Sequence, residues 1–189
     1  MNSPVSLVPL LDAHAIEKAV RRIAAEIVEN HRDLSRVAIV GIPTRGVQLA
    51  ERVAAAIGDT EGSSPAFGVI DAAMHRDDFS RRSPAAPVGV SRLPLPIEGK
   101  AVVLVDDVLY TGRTIRAALD ALSSYGRPDK VELAALVDRG LRELPIQPDY
   151  VGKIITTTPG ERIRVRLSAL DPVEEDTVWL VRPRTEMPS

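Results

Sequence analysis

Asp106 and Asp107 close the apolar run "VVLV", and within the next seven residues the chain supplies Thr111, Gly112, Arg113 and Thr114. Adjacent carboxylates repel one another unless a cation or a donor-rich ligand sits between them. Gly112 has no side chain to block an approaching anion. The threonines add hydroxyl donors, and the amides of 111 to 115 open a helix whose positive dipole end favours negative charge. An acid pair beside a phosphate-friendly turn points to a sugar phosphate, whose ribose hydroxyls with Mg2+ answer the carboxylates. Read alone, "DDxxxTG" also fits a polar turn followed by a helix cap.

Two further segments carry candidate chemistry. "GIPTRGVQ" (41–48) begins like a P-loop, but Val47 and Gln48 stand where Lys and Ser/Thr are required, which rejects ATP binding by that route. What remains is a tight strand-to-helix turn bearing Thr44, Arg45 and Gly46. "HRDDFSRR" (75–82) supplies Arg76 within a charge run that alone reads as a solvated face.

These residues need a frame to hold them. From Asp12, a plausible N-cap, Ile16, Val20, Ile23 and Ile27 recur at steps of four, three and four, one face of a helix. "VAIVGI" (37–42) reads as a buried strand, 46–58 as an Ala-rich helix closed by Gly58, and 66–74 as another strand. The stretch 76–96 is rich in Pro, Arg and Asp without periodicity, and a loop of that length suits a functional lid. Then come a strand at 100–108, a helix at 113–126 and a strand at 130–138. Alternating apolar strands and helices predict an α/β fold with a central parallel sheet flanked by helices. In such a sheet ligands gather at the carboxyl ends of the strands, where Asp106 and Asp107 are expected. Segments 162–170 and 176–183 alternate in period two and read as an edge or antiparallel pair.

Composition narrows the classes. The chain has 189 residues, 44% of them hydrophobic, which suits one domain spanning 1–189. The 24 Lys and Arg against 26 Asp and Glu leave no global basic field, so a nucleic-acid partner must use a local patch. There is no cysteine, and His14, His31 and His75 are scattered, which argues against zinc chemistry and a Ser-His-Asp triad. No apolar run approaches the ~18 residues that span a bilayer, and the N-terminal segment lacks a signal core, so a cytoplasmic protein is expected.

The stretch 102–114 as a whole resembles the phosphoribosyl-pyrophosphate (PRPP) signature of type I phosphoribosyltransferases: a hydrophobic strand, two acids, three variable residues, Thr-Gly and a final Thr. The resemblance implies that fold, with a small hood and a flexible lid. It implies that Asp106 and Asp107 hold the ribose hydroxyls and their Mg2+, largely through PRPP and water. Val108, Leu109, Tyr110, Thr111, Gly112, Arg113 and Thr114 would form the phosphate loop, with Thr111 to Thr114 on the 5′-phosphate. Thr44, Arg45 and Gly46 would meet the pyrophosphate, and Arg76 would reach it from the lid. The fuller match is to the PyrR family, through segments between about 39 and 153 such as "VDDVLYTGRT", "LVDRGLRELPI" and "DYVGK".

Purine-salvage members commonly carry an acid before the Thr-Gly, and Tyr110 in its place favours a pyrimidine. The resemblance implies uracil as acceptor, UMP and pyrophosphate as products, Asp138 and Arg139 at the base, and a homo-oligomer of dimers or higher. It also implies a second partner, pyrimidine-operon leader mRNA, met by Arg22, Arg142 and Lys153. Leu141, Gln147, Ala25 and Asn30 depart from basic residues frequent in the family, and His75 from its Tyr. Fewer phosphate contacts mean weaker RNA binding. Arg162, Arg164 and Arg166 alternate along "RIRVRL" as a replacement stripe or a solvated edge. Three readings follow: an enzyme making UMP, an RNA-binding attenuation regulator with vestigial catalysis, and a phosphoribosyltransferase for another base.

Overall fold

The computed structural model describes residues 5–72, 91–94 and 96–183. Five strands form a parallel sheet: β2 (Val37–Gly41), β3 (Ala66–Val69), β4 (Ala101–Leu109), β5 (Lys130–Asp138) and β6 (Tyr150–Ile154), in the order β3-β2-β4-β5-β6. The near-continuous apolar runs of β2, β4 and β5 put them in the middle, where both faces are covered. Val103 and Val105 pack on one face with helices α1 (Ala13–Asn30) and α2 (Arg45–Glu61). Val102 and Leu104 pack on the other with α3 (Arg113–Ser123).

The α1 expectation holds in detail. Asp12 caps it by accepting from the Ala15 amide at 2.7 Å, and Ile16, Val20, Ile23 and Ile27 are buried. The reading of 46–58 stops short. α2 runs to Glu61 and ends at Gly62, whose φ of +75° makes it the true cap. Gly58 stays helical, and a side chain there would collide with Ser64. β3 is shorter than 66–74, β4 is shifted one residue later than 100–108, and α3 ends three residues before 126.

Two strands were not legible. β1 (Val5–Leu11) and β6 carry no long apolar run, and β1 is defined by a partner far along the chain. β1 pairs antiparallel with β8 (Thr177–Pro183), which pairs with β7 (Arg162–Arg166). The expected pairing of the two C-terminal segments is therefore present, enlarged to a three-stranded hood. β6 is held by Tyr150, whose buried hydroxyl donates to Glu132 at 3.1 Å, and by Gly152, where a Cβ would strike the Leu136 carbonyl.

The hood is joined to the main sheet in two ways. Val165, Leu167 and Val178 belong to the same apolar core as α1 and α2. Asp176 accepts from Arg52 of α2 and, at 2.8 and 3.0 Å, from the amide and hydroxyl of Ser168. Of the expected lid, Arg92 returns to the β3 edge through two 2.8 Å backbone bonds with Val69, while Arg76, His75 and most of 76–96 lie outside the described residues. Among the described residues no helix is long and apolar enough to cross a membrane.

Candidate active site

Asp106 and Asp107 lie inside β4. The strand keeps pairing with β5 beyond them, so Asp106 faces Ala135 and Leu109 faces Asp138. Their expected place near the carboxyl end of the strand holds, with β4 running one residue past the expected 108 because Leu109 continues the apolar ladder. Beside them runs the turn into α2. The Ile42 amide donates to the Val105 carbonyl at 3.0 Å, and Gly46 packs directly on the β4 backbone. A Cβ on Gly46 would collide with the Val105 oxygen and sit 3.2 Å from Asp106 Cα. Only glycine lets the turn bearing Arg45 approach the acid pair this closely.

Two adjoining hollows open at this place. The first, of about 380 Å³, is lined by Asp106, Val108, Leu109, Tyr110, Thr111, Gly112, Thr114, Arg139, Arg162 and Ile163. Six of the expected phosphate-loop residues meet there. Arg113 does not, since its guanidinium pairs with Glu143 at 2.7 Å. Gly112 sits at φ +91°, a conformation side chains disfavour, and any Cβ would press on Leu144 and Ile146. The loop after β5 braces the turn: the Thr111 carbonyl accepts from the amides of Glu143 and Leu144, both at 3.0 Å.

Arg139 is buried, with its guanidinium carbon 4.1 Å from the centre of the Tyr110 ring. Its Nε donates to Thr157 Oγ1 at 3.0 Å and its Nη2 to the Glu161 carbonyl at 2.8 Å. A positively charged plane on an aromatic ring thus forms one wall of the hollow. Asp138 is not in that wall. Its carboxylate accepts from the Gly140 amide at 2.9 Å and from Arg142 at 2.7 Å, so it organises the loop beneath.

The second hollow, of about 290 Å³, is lined by Arg45, Asp107, Ile163, Arg164, Val165, Arg166 and Asp171. Ile163 borders both hollows, and the acid pair straddles them, Asp106 on the first and Asp107 on the second. Burial pushes the Asp107 carboxyl up from its ordinary value, partly offset by a hydrogen bond with Asp106, the charge of Arg45 and nearby amides. The Asp106 carboxylate also accepts from the Asp107 amide at 2.9 Å. Arg45 is gripped at its Nε and Nη2 by both oxygens of Asp171, at 3.1 and 2.5 Å. That hydrogen-bonded guanidinium holds the Asp171 carboxyl below the usual range. Thr44 is exposed on the same turn. Sequence reasoning missed Asp171, Thr157 and Glu161, because no local pattern announces a hood residue that folds back onto a distant turn.

The residues expected to meet RNA have diverse fates. Lys153 is exposed beside Ile154 at the β6 edge. Arg22 is half-exposed but donates through Nη2 to the carbonyls of Val151 and Gly152. Arg142, expected to meet RNA, turns inward and is bonded to the carbonyls of Tyr110, Gly140 and Ile146 and to Asp138. Its donors thus tie the loop after β5 to the turn after β4. Leu141 is exposed with φ +57°, and Ala25, Asn30 and Gln147 are also exposed.

The chain matches the phosphoribosyl transferase domain family over residues 8–168. It is 53% identical over 166 residues to the bifunctional protein PyrR of Chloroflexus aurantiacus, covering 88% of this chain and 91% of that one. To the bifunctional protein PyrR of a Roseiflexus species it is 51% identical, covering 92% and 94%. Among solved structures, the hypoxanthine phosphoribosyltransferase of Trypanosoma cruzi matches with a TM-score of 0.66 at 16% identity, over 93% of this chain and 97% of that one. That of Staphylococcus aureus gives 0.63 at 22% identity, over 82% and 80%. At such identities the structures speak for the fold, the type I phosphoribosyltransferase fold, alone.

Proposed function

This chain belongs to the phosphoribosyltransferase family, within its PyrR group, and we propose that it transfers the phosphoribosyl group of PRPP to uracil, giving UMP and pyrophosphate. One observation carries the reading: Asp106 and Asp107 sit at the junction of two hollows, one walled by the phosphate turn and the other by Arg45. The bond to be broken joins the anomeric carbon to pyrophosphate, so a ribose lying over the acid pair would have its 5′-phosphate in the first hollow and its leaving group in the second. Gly112 and the amides opening α3 would receive the 5′-phosphate, with Thr111 and Thr114 adding hydroxyl donors. Arg45 would meet the departing pyrophosphate, helped by Thr44 and the Gly46 turn, with Arg76 added from the lid.

The chemistry passes through an oxocarbenium-like state, so charge must be stabilised on both sides of the breaking bond. The carboxylates of Asp106 and Asp107 would offset positive charge at the sugar and hold its hydroxyls. This pair also fits Mg2+, an ion usually held by one or two carboxylates together with substrate oxygens and water. Mg2+ would supply charge neutralisation of the pyrophosphate. Arg139 on Tyr110 would flank the base, and the ring in place of an acid favours a pyrimidine over a purine. One continuous apolar core joins hood and sheet, which supports a single domain, and the soluble substrates support a cytoplasmic site of action. Incubation with PRPP, Mg2+ and labelled uracil should yield UMP, with adenine, guanine and hypoxanthine poor acceptors. Turnover of a purine with none of uracil would overturn the choice of base.

A second role is favoured by exposed Lys153 at the β6 edge beside half-exposed Arg22: UMP-responsive binding of pyrimidine-operon leader RNA by a dimer or higher oligomer. A gel-shift titration with leader RNA, with and without UMP and at several salt concentrations, tests it. Absence of salt-dependent binding would leave the enzyme alone.

A further inference from the structure

The hollow facing Asp107 has a wall that the catalytic scheme above leaves unused. Arg164 and Arg166, two residues apart on edge strand β7, line it together with Arg45, Asp107 and Asp171. Of the two carboxylates, Asp171 is already matched to Arg45 through two hydrogen bonds. Arg166 contributes to the field that keeps the Asp171 carboxyl low, yet forms no ion pair with it among the described residues. On their other side both arginines border a hollow with Glu174, Glu175 and Trp179, and there too no ion pair forms among the described residues. Two like charges thus stand close together with no counter-ion bonded to either among the described residues. Such a pair repels itself and suits an anion carrying several charges.

We propose that Arg164 and Arg166 form a second cationic wall for the leaving group, contacting the pyrophosphate of PRPP from β7 while Arg45 contacts it from the α2 turn. The assignment rests on the reading of the site as a phosphoribosyltransferase centre and extends it to residues that neither motif contains. Guanidinium groups serve this task because they offer paired donors to phosphate oxygens and never lose their charge. The hood would then do more than cover the site, since its edge strand would hold one half of the substrate.

Calorimetric titration of the full chain with pyrophosphate plus Mg2+, and separately with UMP, tests the wall. Arg164→Gln and Arg166→Gln should each weaken pyrophosphate binding by about tenfold, and the double variant by more, as for loss of charge-assisted contacts. UMP affinity and the melting temperature should stay as in the parent protein. In turnover, KM for PRPP should rise while KM for uracil is unmoved. Undiminished pyrophosphate binding in the double variant, or no binding by the parent protein, overturns the proposal, as does an equal loss for UMP. If the parent binds pyrophosphate through these arginines but makes no UMP, the uracil reading fails and the wall stands.

Discussion

Arg45 and Asp171 are 126 positions apart in the chain and meet through a two-pronged ion pair, both carboxylate oxygens accepting from one edge of the guanidinium. Asp171 is itself fixed, because its Oδ2 also accepts from the Leu167 amide at 2.9 Å. The pair leaves three of the five N–H donors of Arg45 to face a ligand and sets their direction. Asp171 is therefore a positioning residue. Asp171→Ala should lower kcat/KM for PRPP by about tenfold through misdirection of Arg45, with UMP binding unchanged. The Asp171 carboxyl titrates below its unfolded value of about 3.9, so its contribution to stability is present above that pH and is lost as pH falls through the lower folded value. Acid unfolding of the parent and the variant, followed by circular dichroism, should show the midpoint of the variant at higher pH.

Asp107 has the opposite sign. Burial raises its folded value, so the native state binds the proton more tightly than the unfolded chain does. Stability then falls as pH rises between the unfolded and folded values, and ionised Asp107 is a net burden on the fold. Asp107→Asn should accordingly melt no lower than the parent at neutral pH, yet turn over roughly two orders of magnitude more slowly. The acid limb of kcat/KM for PRPP should fall at a pH above the ordinary aspartate range. A variant with full turnover would mark the acids as a polar turn and no more.

The parallel core was legible because β2, β4 and β5 are apolar on both faces, and the phosphate turn because its spacing is local. Arg45, Asp106 and Asp107 were found from short motifs that the fold brings within one site. Asp171, Thr157 and Glu161 gave no such signal. Their roles depend on a hood strand turning back over β4, and that placement is decided by Val165, Leu167 and Val178 packing under α1 and α2. β1 was hidden for a related reason: Pro9 interrupts its pattern, and its partner begins at Thr177. Arg142, a basic residue on a loop that reads as surface, faces inward.

That inward placement makes a distinction between two arginine-to-alanine or lysine-to-alanine changes. Arg142→Ala removes the donor from the Tyr110, Gly140 and Ile146 carbonyls and the ion-pair partner from Asp138, which keeps its bond from the Gly140 amide, so several polar groups lose bonds together. A loss of roughly 1–3 kcal/mol in stability is expected, with weaker UMP binding as the phosphate turn loosens. Lys153→Ala should leave melting and turnover intact and reduce the salt dependence of leader-RNA binding by about one phosphate contact. Denaturant titrations and filter binding separate the two outcomes.

The closest backbone approach in the site gives the last test. Gly46 opens α2 against β4, and its missing side chain is what lets Arg45 stand next to Asp107. In Gly46→Ala the new methyl would meet the Val105 carbonyl and the Asp106 Cα, both main-chain groups of a central strand that cannot rotate away. The α2 turn must retreat instead. Because Ala favours the helix more than Gly by about 1 kcal/mol, the loss of stability from the displaced contact is partly returned, and the variant should fold. Its fault should lie in geometry: a shift of about 1 Å at Arg45 is enough to lower turnover by roughly a hundredfold. UMP, which has no pyrophosphate for Arg45 to meet, should bind with near-parent affinity, whereas pyrophosphate binding should weaken. Gly62→Ala, at the far end of the same helix with nothing within 4 Å of its Cβ position, is the control. Its positive φ should lower the melting temperature while turnover per folded molecule stays unchanged.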